Sequence, residues 1–170
     1  MKRRVFAVIF CFLVLAEFVS ATPLTEISYF TTDLGSGRWE YNYDVKNIGL
    51  SVGIEEFTIW FDYGIYDNLV VSTPETPPDW DQIVWQVEPV LEDAGGYDAL
   101  ATNLEIAIGE NLSDFSVTFD WLGIEQPGSQ YYEIIDPVTF GTIESGYTVP
   151  EPTTCLLLLS GALLLRRREL

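Results

Sequence analysis

The sequence predicts an all-β protein, a single β-sandwich flanked by an N-terminal signal peptide and a C-terminal hydrophobic helix. Three observations predict it: apolar residues alternate with polar ones at period two, turn-forming residues interrupt the chain at short intervals, and long apolar runs occur only at the two ends. The middle of the 170-residue chain has room for one domain with a core of its own. At 48% hydrophobic and 14% aromatic residues, the chain is too apolar for a disordered polymer despite a formal net charge of −18.

The first segment, residues 1–21, opens on Lys2, Arg3 and Arg4, continues through the apolar run Val5 to Ala16, and ends in small residues at Ser20 and Ala21. A positive start, a short apolar stretch and a small-residue site describe a secretory signal peptide, with cleavage expected between Ala21 and Thr22. The run is short for a membrane span and Glu17 interrupts it.

Residues 22–148 carry the alternation. Trp39, Tyr41, Tyr43 and Val45 share one strand face, as do Phe57, Ile59, Phe61 and Tyr63, and again Phe115, Val117, Phe119 and Trp121. Glu40, Asn42 and Asp44, or Ser116, Thr118 and Asp120, fill the opposite faces. Breaks fall at Gly35-Ser36-Gly37, Asn47-Ile48-Gly49, Pro74 to Pro78, Gly95-Gly96 and Gln126-Pro127-Gly128. About seven to nine short strands result, in a sandwich of immunoglobulin-like or carbohydrate-module-like type.

Composition excludes several function classes. Between Thr22 and Pro150 stand 23 acidic residues and only two basic ones, Arg38 and Lys46, a formal charge of −21 that repels nucleic-acid phosphates and anionic lipid. No histidine occurs anywhere, which removes the commonest general base and zinc ligand. Both cysteines, Cys11 and Cys155, lie in the terminal apolar runs, so the domain has neither disulfide nor thiolate site. Carboxylates abound, but no pair stands out by motif or spacing as an acid and base for glycoside cleavage. The expectation is a noncatalytic protein without a resident cofactor.

Two kinds of ligand remain open. Calcium takes several oxygen ligands, and Asp79 and Asp81, with Glu92, Asp93 and Asp98 around Gly95-Gly96, are the candidate donors; the competing reading makes them solvated turn residues. Flat aromatic faces can stack on sugar rings. Trp39 and Trp121 share faces with other aromatics and read as buried, whereas Trp60, opposite Phe57, Ile59 and Phe61, and Trp80, beside the proline-rich turn, are the candidates for glycan stacking. Burial is the competing reading for each of these two tryptophans.

The last segment, residues 149–170, reads Val149-Pro150-Glu151-Pro152, then an apolar run from Leu156 to Leu165, then Arg166-Arg167-Arg168. Pro-Glu-Pro, an apolar helix and an arginine cluster in that order resemble the PEP-CTERM sorting signal of Gram-negative bacteria. The resemblance implies recognition by a membrane-embedded exosortase, processing near Pro150, Glu151 and Pro152, and a family context of extracellular polysaccharide or biofilm. Residues 153–165 as a helix would reach about 20 Å, short of a hydrocarbon core of roughly 30 Å. Snorkelling arginines or local thinning would close that gap, with Arg166 to Arg168 on the cytoplasmic side. The central segment from Trp39 to Gly146 also resembles, less specifically, small domains that accompany such tails, for which no activity is implied.

The expectation is therefore an exported cell-envelope or extracellular-matrix protein, processed by signal peptidase and exosortase and anchored in the membrane, transiently or permanently, through its C-terminal helix. The alternative is a glycan- or calcium-binding β-sandwich module.

Overall fold

The structure, a computed structural model, describes residues 22–151. Ala21 of the expected cleavage site, Pro152 of the sorting motif and Arg166, Arg167 and Arg168 lie outside the described residues, as do both terminal apolar runs. Thr22 is exposed at the start of the described chain.

Ten strands are formed: β1 (Thr25–Gly35), β2 (Arg38–Asn47), β3 (Glu56–Phe61), β4 (Tyr66–Val71), β5 (Trp80–Trp85), β6 (Gly95–Ala101), β7 (Asn111–Trp121), β8 (Tyr131–Ile135), β9 (Thr142–Tyr147) and β10 (Val149–Pro150). They make two five-stranded sheets, one ordered β10-β1-β2-β7-β4 and the other β5-β6-β3-β8-β9. No helix occurs among the described residues. All pairings are antiparallel except β1 with β10, which is parallel.

The alternation that defines each strand also packs the two sheets face to face. Tyr41, Tyr43 and Val45 on β2 and Phe115, Val117 and Phe119 on β7 point inward from the first sheet; Phe57, Ile59 and Phe61 on β3 point inward from the second, and all are buried. Phe57 meets Phe115 edge to face at 4.9 Å, Phe61 meets Phe119 at 6.0 Å, and Tyr43 stacks on Tyr97 at 6.1 Å, each pair spanning the gap between sheets. Trp39 and Trp121 are half-buried and pack against this core rather than within it.

Buried phenols need partners, and they find them. Tyr41 Oη donates to Gly128 O at 2.6 Å, Tyr43 Oη to Gln130 Oε1 at 2.5 Å, and Tyr97 Oη to Gln82 Oε1. Burial pushes the hydroxyls of Tyr41, Tyr43 and Tyr97 well up from their ordinary value, and that of Tyr66 up to about 12. The phenols therefore stay neutral throughout the physiological range.

Besides the ten strands in place of seven to nine and the half-buried Trp39 and Trp121, three details differ from the sequence reading. The period-two run that includes Tyr63 stops at Phe61; Tyr63 is exposed in a turn whose Gly64 adopts φ 84°. Gly95 and Gly96 do not make a turn but begin β6, where both are buried. Extended chain also continues past residue 148. β9 leaves the second sheet at Tyr147, Thr148 donates its N–H to Gln130 O at 2.8 Å, and Val149 and Pro150 join the first sheet beside Ser28 and Tyr29.

Candidate functional site

The outer faces of the two sheets differ in chemistry. On the first, Asn42, Asp44, Thr118 and Asp120 point outward, and Arg38 is fixed at the rim by Asp120 Oδ1 at 3.0 Å, Asn68 O at 2.8 Å and Thr118 Oγ1 at 2.8 Å. That ion pair is half-exposed and has a structural role in joining β2, β4 and β7.

On the second sheet the register aligns aromatic residues into one transverse row. Trp85 on β5 pairs with Gly96 on β6, and Gly96 pairs with Trp60 on β3. One step beyond the last pair of β3 with β8, Ile59 with Tyr132, Trp60 comes opposite Tyr131, which pairs in turn with Tyr147 on β9. The rings of Trp60 and Trp85 meet at 5.5 Å and 75°, those of Tyr131 and Tyr147 at 5.7 Å and 63°.

Local sequence explains how the row is held. A Cβ at Gly96 would fall inside the Trp85 ring, so the absent side chain is what allows the indole to lie down across β6. Trp60 Nε1 donates to Glu133 Oε2 at 3.0 Å, and Glu133 Oε1 accepts from Thr142 Oγ1 at 3.0 Å, which ties the Trp60 ring to β8 and β9. The neighbouring row along the same face reads Ile83, Asp98, Thr58, Glu133 and Ser145. Rings and hydrogen-bonding side chains thus stand side by side.

The sequence-predicted residues are distributed unevenly around this face. Trp60 is on it, half-exposed. Trp80 is not: at 5% exposure it belongs to the core, packed against Phe57 at 5.9 Å and Phe115 at 5.2 Å, so its place in β5 points inward and it is unavailable for stacking. Trp85, Tyr131 and Tyr147 were not singled out from the sequence. The signal was available in the Asp81-Ile83-Trp85 alternation, whose outward face ends on an aromatic residue.

The calcium candidates are not assembled into a site. Asp79 stands at one end of the β5–β6 hairpin, where its carbonyl accepts from Thr102 N at 2.7 Å, while Glu92 and Asp93 stand in the loop at the other end, with Glu88 N donating to Asp93 O at 3.1 Å. Asp81 and Asp98 share the outer face of the hairpin between them. Among the described residues no group of three His, Cys, Asp or Glu side chains is placed to hold a metal ion. Asp98 instead accepts from Thr58 Oγ1 at 2.6 Å.

Burial of carboxyl groups on this face, with like charges beside them, links stability to pH. Burial, with Asp81 nearby, raises the Asp98 carboxyl above its ordinary value of 3.8 against the opposing hydrogen bond from Thr58. Burial and the Asp98 charge raise Glu56 above 4.5. A carboxyl whose folded-state value is raised contributes stability below its unfolded value and loses that contribution as pH rises through the folded one. Asp120, lowered by hydrogen bonds from Asn68 and Arg38, acts in the opposite sense only as pH falls below 3.8. Melting temperature is expected to be higher at pH 5 than at pH 8, and Asp98→Asn to raise it at pH 8 while flattening the difference. A melting temperature that falls from pH 8 to pH 5 and ignores the substitution would contradict this assignment.

A shallow cleft of about 480 Å³ opens elsewhere on the molecule, between Val52, Gly53, Glu55, Asp136, Val138 and Ile143. It has an apolar wall and two carboxylates, without the convergent polar groups of an active site.

The fold and this face together define an all-β, two-sheet protein with an aromatic outer surface on one sheet. No family model matches the chain, and no curated protein does. Among solved structures it is similar to a cohesin module from a Clostridium perfringens family 33 glycoside hydrolase, at 12% identity over 76% of this chain and 98% of that one, with a TM-score of 0.45. It is also similar to a family 3b carbohydrate-binding module from the biomass sensoring system of Clostridium clariflavum, at 12% identity over 65% and 91% of the two chains, with a TM-score of 0.42. A GH20 exo-β-N-acetylglucosaminidase from Vibrio harveyi matches at 6% identity over 76% of this chain and 18% of its own, with a TM-score of 0.40. Likeness at this level carries no functional inference.

Proposed function

We propose that the chain is an exported, noncatalytic protein of the cell envelope or extracellular matrix, sorted by an exosortase through its PEP-CTERM segment. The observation that carries this reading is the order Pro150-Glu151-Pro152, apolar run, Arg166-Arg167-Arg168 in a chain that opens on a signal-peptide pattern. Signal peptidase and exosortase are its processing partners, and the membrane holds its C-terminal segment until the exosortase acts. The acidic domain needs no cofactor for this role and repels nucleic acid.

Intact mass and fractionation of the native protein test it. The expected result is loss of both terminal segments, with the C-terminal loss abolished by deleting Pro150-Glu151-Pro152 or the exosortase. A protein that keeps Arg166 to Arg168 and stays in the membrane in every background would be an ordinary tail-anchored one.

A second reading is favoured by the aromatic row: the sandwich, of carbohydrate-module-like type, is a glycan-binding module displayed by that export route. Two half-buried tryptophans and two exposed tyrosines line up across the outer face of one sheet, each pair meeting edge to face, so that one ring of each pair can turn its flat side to a sugar. Extracellular polysaccharide is then the domain's partner.

A further inference from the structure

Resting on the glycan-binding reading, we infer that Trp85, Trp60, Tyr131 and Tyr147 form the docking strip for an uncharged polysaccharide chain laid across the second sheet. Strands lie about 4.8 Å apart, so a row crossing five of them runs about 19 Å, the length of a short oligosaccharide rather than of one sugar. Tyr147 is 69% exposed and Tyr131 36%, so the far half of the row has gained little from packing and is free to meet a ligand.

The near half is already organised. Trp85 rests on Gly96 and Trp60 is tied to Glu133, so neither ring must be ordered on binding, which removes part of the entropic cost of association. An aromatic face carries the negative part of the ring quadrupole and attracts the polarised C–H face of a pyranose. The adjoining row supplies Asp98, Glu133 and Ser145 as acceptors for hydroxyl groups on the sugar's edge, with the buried Thr58 holding Asp98 in place.

Charge selects the occupant. No Lys or Arg lies on any of the five strands of this sheet, so a uronate-bearing polymer would meet carboxylates and no cation. A second copy of the domain, itself at a formal −21 between Thr22 and Pro150, is repelled for the same reason. An uncharged polyol bears no such penalty and matches both rows.

Affinity electrophoresis of the full chain, kept in a polyoxyethylene detergent because glycosidic detergents would compete, tests the strip. The gels contain hydroxyethylcellulose, xyloglucan or galactomannan as neutral probes, polygalacturonate as the anionic one and chitosan as the cationic one. Retardation by at least one neutral polymer and none by polygalacturonate is expected, with the dissociation constant raised tenfold or more in Trp85→Ala and in Tyr147→Ala. Tyr147→Ala removes an exposed ring and keeps the fold, and Phe140→Ala, 80% exposed in the β8–β9 connection, should leave retardation unchanged. No retardation of the wild-type chain by any neutral polymer would overturn both the strip and the glycan reading. Retardation equal in wild type, Trp85→Ala and Tyr147→Ala would overturn the strip while the glycan reading stands. Retention by chitosan alone, abolished by salt, would reduce the interaction to net charge and overturn the strip.

Discussion

Phe57→Ala is expected to destabilise the domain by about 4 kcal/mol, the usual cost of deleting a buried phenyl ring together with the cavity it leaves. Phe57 is fully buried at the centre of the interface between sheets, with Phe115 at 4.9 Å, Trp80 at 5.9 Å and Tyr97 at 6.2 Å around its ring. Phe115 on β7 and Tyr97 on β6 belong to strands hydrogen-bonded on both sides, so they cannot collapse into the void without bending a sheet, and only Trp80, on the edge strand β5, has more freedom to follow. Against a total stability of about 5–15 kcal/mol the loss is large, and a fall in melting temperature of about 15 °C should accompany it. Urea unfolding followed by tryptophan fluorescence reads it directly. Phe57→Leu, which keeps most of the volume, should cost only about 1 kcal/mol. A loss below that in the alanine variant would mean that the sheets do not close on this ring.

Asn47→Ala is expected to cost about 3 kcal/mol, although it removes only one small polar side chain. The residue is fully buried at the end of β2, and its amide does three things at once. Nδ2 donates to Val52 O at 2.9 Å and to Ile106 O at 3.2 Å, while Oδ1 accepts from Leu50 N at 3.0 Å. Truncation strands the buried Leu50 N–H and takes a donor from Val52 O, while Ile106 O keeps its bond from Ile54 N at 3.0 Å; a stranded buried group is worth about 1–3 kcal/mol before relaxation. Asn47→Asp should be worse at pH 7, because its carboxylate would face those two carbonyls. That buried acid would titrate above its unfolded value, so the deficit should shrink as pH falls through the raised value. Chemical denaturation of both variants at pH 7 and pH 4 measures it; equal losses at the two pH values would place the side chain in contact with water.

Strand existence was legible wherever inward residues were apolar, as on β2, β3 and β7. It was obscured where a polar residue turns inward for a specific partner. Gln82 lies between Trp80 and Val84 on the inner face of β5, satisfied by Tyr97 Oη and by Thr76 O at 2.8 Å, and its polarity disguises the alternation that would have assigned Trp80 to the core. Gly95-Gly96 has the composition of a turn, yet Gly96 is a strand residue kept bare by the Trp85 ring above it. The aromatic row was hidden for a different reason. Trp85, Trp60, Tyr131 and Tyr147 lie far apart in sequence, and only the register of β6 between β5 and β3, and of β8 beside β9, brings them into line. Period two marks which face a residue takes and says nothing of its neighbours across strands.

The crossing of the last strands from one sheet to the other has a mechanical meaning. Tyr147 closes the aromatic row, Thr148 is clasped to Gln130 through Thr148 N to Gln130 O at 2.8 Å and Gln130 N to Thr148 Oγ1 at 2.9 Å, and the chain leaves along β1, with Glu151 N bound to Tyr29 O at 2.9 Å. Tension applied beyond Glu151 reaches the row through four residues, at most about 14 Å of extended chain. For a protein anchored by its tail and gripping a polymer by that row, the pull would run along the rim and not through the packed aromatic interior. The interior could then be tuned for folding alone, while the strength of the tether depended on one clasped threonine and a short parallel seam.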